Sequence, residues 1–119
     1  MSPDKATDSA TLNDLVTACA RVIDFTSKAS GSDLDRDHQL VSACCYQLAV
    51  IGEALKRLSA TMRAEYPGVP WRDIAGMRDR LIHGYDSVDL DELWKTSTED
   101  IPELLEHIRK IQTNLRQSG

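Results

Sequence analysis

"LVSACCYQLAVIGEALKRLSATM", residues 40–62, decides how this chain folds. Leu40, Cys44, Leu48, Ile51, Leu55, Leu58 and Met62 recur every three or four residues, which makes one apolar ridge along a helix. Val41, Cys45, Ala49 and Gly52 make a second ridge beside the first. A stripe that wide is buried on more than one side. The spacing predicts a helix from about Asp35 to about Tyr66, roughly 45 Å long. That is long for a small bundle, so one end is expected to project or to help build a dimer. Gly52 weakens a helix interior, and close approach of another backbone would explain it.

Outward from this helix the pattern stays helical. Thr11-x-x-Asp14 has the form of a capping box, followed by Leu12, Leu15, Val16, Cys19, Val22 and Ile23 at helical spacing. The first helix is therefore expected to start near Thr11, leaving residues 1–9 frayed or disordered. "SKASGSD", residues 27–33, is loop chemistry. "EYPGVPWRD", residues 65–73, is a break, because neither Pro67 nor Pro70 fits inside a continuous helix. A shorter helix then carries Trp71, Ile74, Ala75, Met77, Leu81 and Ile82 and is expected to end at His83-Gly84. Another starts around Asp89, with Leu90, Leu93 and Trp94 inward. Pro102 is expected to reset the chain in the first turn of a last helix, which buries Ile101, Leu104, Leu105, Ile108, Ile111 and Leu115. The expectation is an all-α bundle of about five helices around one long central helix, forming a single domain over residues 10–116.

Composition agrees. The chain has 119 residues, room for one compact domain, with one Phe, two Trp and three Tyr and no alternating strand pattern. The start lacks the form of a signal peptide and no apolar run reaches bilayer length, so a cytoplasmic location is expected. Three cysteines make a poor disulfide framework. Cys19, Cys44 and Cys45 sit in apolar helical patterns and read as small buried hydrophobes, and no metal-ligand spacing is visible. A net charge of −5 counts against tight binding of bulk nucleic acid, so any RNA contact must be local.

One stretch has a composition that packing alone does not require. "RDRLIHGY", residues 78–85, crowds Arg78, Asp79, Arg80, His83 and Tyr85 around the apolar pair Leu81-Ile82. On an unbroken helix Arg78 and His83 would point roughly 140° apart. Gly84 releases the chain there, which would let the imidazole and Tyr85 leave strict helical directions. RNA cleavage without metal needs such a pair. A histidine can take a proton from a ribose 2′-OH or give one to the leaving 5′-oxygen, because it titrates near neutrality. An arginine can hold the phosphate and stabilise its developing charge. By spacing alone, such residues are more often surface groups that compensate a helix dipole than catalysts.

The motif resembles a known family. Arg78-x4-His83-x-Tyr85 reproduces the R-x4-H-x-Y signature of the HepT-like branch of the HEPN superfamily. "IGEALKRLS" at 51–59, "YPGVPWRDIAGMRDRLIHGY" at 66–85 and "VDLDELWKTSTEDIPELLEHI" at 88–108 are similar to that family in order and spacing. The resemblance covers roughly residues 10–115. It implies a HEPN-type helical bundle acting as the toxin of a toxin–antitoxin pair, a metal-independent endoribonuclease that dimerises to bring two motifs into one cleft. It also implies a cognate antitoxin, an MntA-like minimal nucleotidyltransferase that uses ATP to add AMP to the motif tyrosine. By position, Arg78 and His83 would be catalytic and Tyr85 the AMP acceptor. No cofactor of the toxin itself is implied.

Other residues rank behind these. Glu53 could support the motif by pairing with Arg78 or Arg80, or lie in solvent at the helix edge. Arg80 and Arg72 could add positive charge to a shared cleft, where local charge matters more than the total. His38 and His107 read as exposed, and Trp71 and Trp94 as core anchors. The alternative within the same fold is a catalytically inactive HEPN subunit that binds a nucleotidyltransferase. A purely structural helical dimer is a third reading.

Overall fold

The computed structural model describes residues 3–82 and 87–118. Its elements are α1 (Pro3–Thr26), a 3-10 turn (Gly31–Asp35), α2 (His38–Arg57), α3 (Ala60–Glu65), α4 (Trp71–Ala75), α5 (Met77–Leu81) and α6 (Leu90–Lys95). A π-helical turn (Thr96–Asp100) then joins α6 to α7 (Ile101–Gln117). The all-α bundle is present, 48 × 28 × 21 Å in extent. No described helix is long and apolar enough to cross a membrane.

The core lies where α1 packs along both α2 and α7. Leu12, Leu15, Cys19 and Val22 of α1 meet Leu48, Ile51 and Leu55 of α2 and Ile101, Leu104 and Ile108 of α7, none more than 1% exposed. Burying each large side chain contributes about 1.5–3 kcal/mol relative to leaving it in water. Helices α4 and α5 pack against α2 from another side, and α6 leans on the 3-10 turn. The second ridge of α2 faces the α4–α5 side. At Gly52 a Cβ would stand 3.4 Å from the Ala75 carbonyl oxygen, the close backbone approach that the glycine implied.

Four features differ from the sequence-based expectation, the first being that the one helix expected to carry Trp71 to Ile82 is two, α4 and α5, which meet at Gly76. Helix α1 starts at Pro3, not near Thr11, and Thr11 sits buried inside it. Proline is well suited to a first helical position because its missing N–H has no partner there. The first turns are held by Asp8, 4% exposed, which accepts from the Ser59 backbone N–H (2.9 Å) and the Ser59 hydroxyl (2.6 Å). A contact across 51 residues thus orders a segment whose own composition is polar.

That contact also breaks the expected long helix. Leu58 is extended (ψ 138°), and Ser59 caps α3 by accepting from the Met62 N–H at 3.1 Å. Leu58 and Met62 both stay buried, so the apolar spacing runs through the break without revealing it. The central helix α2 has 20 residues and is shorter than α1 with 24.

Pro102 stands in the first turn of the last helix, as expected, but the chain enters that helix without a gap. The helix continues from α6 through the π turn, where the Ile101 N–H reaches back five residues to the Thr96 carbonyl. The wider turn accommodates a ring that cannot donate and would crowd an ordinary turn. Thr98 donates its hydroxyl to the Trp94 carbonyl at 2.7 Å, using an acceptor that the altered pattern exposes.

Candidate active site at the end of α5

Helix α5 has five residues, too few to persist on helical hydrogen bonds alone, so its neighbours fix its direction. Met77 and Leu81 anchor it in the core, each 1% exposed. At its C-terminal end the chain turns extended at Ile82, which forms an antiparallel bridge with Val88. The Asp89 N–H donates to the Leu81 carbonyl at 2.9 Å, and the Asp89 carboxylate then caps α6 by accepting from the Glu92 N–H at 3.0 Å. The two strands of chain that flank the motif's second half are therefore tied to each other and to the next helix. The helix expected from Asp89 begins there.

Arg78 projects from this anchored helix with its side chain 54% exposed. Its Nη1 lies 4.0 Å from Asp79 Oδ1, a loose contact that leaves the guanidinium accessible to a phosphate. Burial pushes the Cys45 thiol of α2 up, and the Arg78 charge pulls it partly back. His83 and Tyr85, the other two motif positions, lie outside the described residues, as does Gly84.

Arg80 faces another way. Its Nη1 donates to the backbone carbonyl of Asp73 in α4 at 2.8 Å. Glu53 pairs with neither arginine in this chain. It is exposed on α2 and its nearest charged partner is Lys56, at 3.6 Å. Arg72 is exposed at the start of α4.

Beside α5 lies a cleft of about 470 Å³ lined by Ile74, Met77 and Leu104 and by charges of both signs, Arg80 and Lys95 among four carboxylates that include Glu103. His107 had read as exposed, but it is half-buried here with Nε2 3.9 Å from Glu103 Oε1. The four-residue spacing of Glu103 and His107 was the available signal. Trp71 is buried and its indole N–H is shared between the Arg63 and Tyr66 carbonyls, while Trp94 packs half-buried against the core. Burial pushes the Cys19 thiol up to about 12 and the Cys44 thiol up to about 11, so both are neutral, inert core groups. Among the described residues no group of three or more His, Cys, Asp or Glu is placed to hold a metal ion.

An exposed arginine on a short helix, followed in sequence by a histidine and a tyrosine, defines the class as a small all-α domain with a polar motif at one helix end. The comparisons with known proteins narrow it. The ribonuclease HepT-like family profile matches residues 15–111, and the chain belongs to that family. It is 38% identical over 101 residues to a protein of Thermococcus cleftensis named as a probable ribonuclease HepT, covering 85% of this chain and 92% of that one. It is 37% identical over 100 residues to a protein of Caldanaerobacter subterraneus named as a candidate RNase, covering 84% and 89% of the two chains. A Methanocaldococcus jannaschii protein, also named as a candidate RNase, is 34% identical over 106 residues, 89% of this chain and 91% of its own. No solved structure matches.

Proposed function

We propose that this protein is the toxin of a toxin–antitoxin pair, an endoribonuclease that cuts RNA through Arg78 and His83 without a metal ion. The observation that carries the proposal is the intact Arg78-x4-His83-x-Tyr85 spacing, with Arg78 solvent-accessible on a braced helix, in a chain of the HepT-like family. Arg78 binds the scissile phosphate and stabilises its charge in the transition state. His83 takes the proton from the ribose 2′-OH as that oxygen attacks phosphorus. The P–O5′ bond breaks, leaving a 2′,3′-cyclic phosphate on one fragment, and a protonated histidine supplies the proton to the departing 5′-oxygen.

A homodimer would bring two such motifs into one cleft and supply both histidine roles at once. Tyr46, 67% exposed on α2, with Cys45 and Val50 half-buried beside it, is an apolar surface that suits a second copy. Doubling Arg78 locally would also offset the net charge of −5. Tyr85 is the switch. An MntA-like nucleotidyltransferase transfers AMP from ATP to its phenol, the phenolic oxygen displacing pyrophosphate from the α-phosphorus and losing its proton, and each phosphodiester brings a negative charge and a bulky nucleoside to the place where RNA phosphate must bind.

Expression without an antitoxin should slow growth, and His83→Ala should relieve it. Co-expression with a neighbouring nucleotidyltransferase should raise the intact mass by whole AMP increments that map to Tyr85 and vanish in Tyr85→Phe. Growth arrest that persists unchanged in His83→Ala would sink the catalytic assignment. Tyr85 modification with no RNA cleavage would instead identify an inactive binding subunit.

A further inference from the structure

We infer that Arg80 is a positioning residue for Arg78: by tying α5 to the Asp73 carbonyl of α4, it sets the direction in which Arg78 presents its guanidinium. This rests on the ribonuclease reading of Arg78. The two arginines are two residues apart, roughly 200° around the helix, so they cannot clamp one phosphate side by side. Arg80 reaches back over α4, whereas Arg78 leaves the other side of α5 with its side chain 54% exposed.

Asp73 belongs to the last four residues of α4, whose carbonyls lack partners within that helix. The Arg80 guanidinium supplies a charged donor to one of them at 2.8 Å. It does so across Gly76, the residue joining α4 to α5. A Cβ at Gly76 would stand in ordinary contact with Arg80 Nη1 (3.7 Å) and the Asp73 oxygen (3.9 Å), so the bond runs close beside the junction of the two helices. The far end of α5 is held by the Ile82–Val88 bridge and the Asp89–Leu81 hydrogen bond. Arg80, next to Leu81, ties that end back to α4, and Met77, 1% exposed, anchors the near end in the core. With both ends fixed, a five-residue helix keeps one direction.

The test compares the full-length protein with Arg80→Ala and Arg80→Lys by amide exchange and by cleavage of a single-stranded RNA. In Arg80→Ala the amides of Asp79 and Ile82, which bond to the Gly76 and Arg78 carbonyls, should exchange about fivefold faster, with α7 unchanged. The same variant should lose about tenfold in kcat, with KM and the salt dependence of binding unchanged. Lysine keeps a charged donor of similar reach and should restore most of both. Unchanged exchange at Asp79 and Ile82 overturns the tie whatever the activity does. A raised KM with a weaker salt dependence overturns it differently, because Arg80 would then be touching RNA phosphate directly. A wild-type protein that cuts no RNA overturns the underlying ribonuclease reading, whereas an active wild type with either contrary result overturns only the role of Arg80.

Discussion

Replacing Asp8 with alanine tests the contact that most separates this fold from its sequence pattern. Asp8 is 4% exposed and accepts two hydrogen bonds from Ser59, at 2.9 and 2.6 Å. Each bond to a charged acceptor contributes about 1.5–3 kcal/mol, giving an upper bound of about 6 kcal/mol for the pair. Relief from holding a carboxylate away from water offsets part of that, and Ser59 is only part-buried, so water can replace some of the loss. A net cost of about 2–3 kcal/mol is expected. Unfolding entropy of about 2.1 cal/mol/K per residue over 119 residues makes each kcal/mol worth about 4 °C. The melting temperature of Asp8→Ala should therefore fall by about 8–12 °C. Asp8→Asn, which keeps one acceptor oxygen, should fall about half as far. Amide exchange should also quicken in the first turns of α1 and at Ser59, because the same carboxylate holds both. Asp4→Ala, in the exposed first turn, is the control. If Asp8→Ala melts within a degree or two of Asp4→Ala, the reasoning that this contact orders the N-terminal turns is wrong.

Two further outcomes follow from the core. Gly52→Val places a branched side chain where a Cβ already lies 3.4 Å from the Ala75 carbonyl, so it should cost about 1–3 kcal/mol in chemical denaturation by forcing α2 and α4 apart. An effect no larger than that of a surface substitution would show that the two helices do not need this approach. Burial raises the Cys19 thiol from 9.0 to about 12, so the unfolded chain loses its thiol proton first as pH rises. The stability linked to the neutral thiol is intact below 9.0 and is lost progressively up to about 12. Wild type should accordingly lose more stability than Cys19→Ala between neutral and strongly alkaline pH, and parallel losses in urea titrations would refute this.

The sequence carried the core more clearly than the breaks. Leu48, Ile51, Leu55, Leu104 and Ile108 could be placed inside from their spacing, because a buried helix face must repeat that way. Gly52 announced a close backbone approach, and one is there. The interruption at Leu58–Ser59 was hidden because Leu58 and Met62 keep helical spacing across it. The partner that stabilises it, Asp8, lies 51 residues away. The Thr11-x-x-Asp14 pattern misled for the same reason: local capping chemistry is overridden when tertiary hydrogen bonds extend the helix upstream. Pro102 was rightly placed in the first turn of the last helix, but the π turn that joins that helix to α6 without a gap was not legible.

At the candidate site, the motif was legible because Arg78, His83 and Tyr85 are close in sequence. The support around it was not. Arg80 uses a backbone carbonyl, which carries no residue identity, and its reach depends on how α4 meets α5. Glu53 could be named as a candidate partner from its place on an apolar helix, yet its neighbour one turn on, Lys56, is the charge it meets.

The central claim is most directly tested by incubating the purified protein with a labelled single-stranded RNA in EDTA, alongside Arg78→Ala and His83→Ala proteins of unchanged helical circular dichroism. Wild type should cut, leaving 2′,3′-cyclic phosphate ends, and each variant should lose at least about a hundredfold in rate. Cleavage that disappears in EDTA, or that continues at the wild-type rate in both variants, would contradict the account.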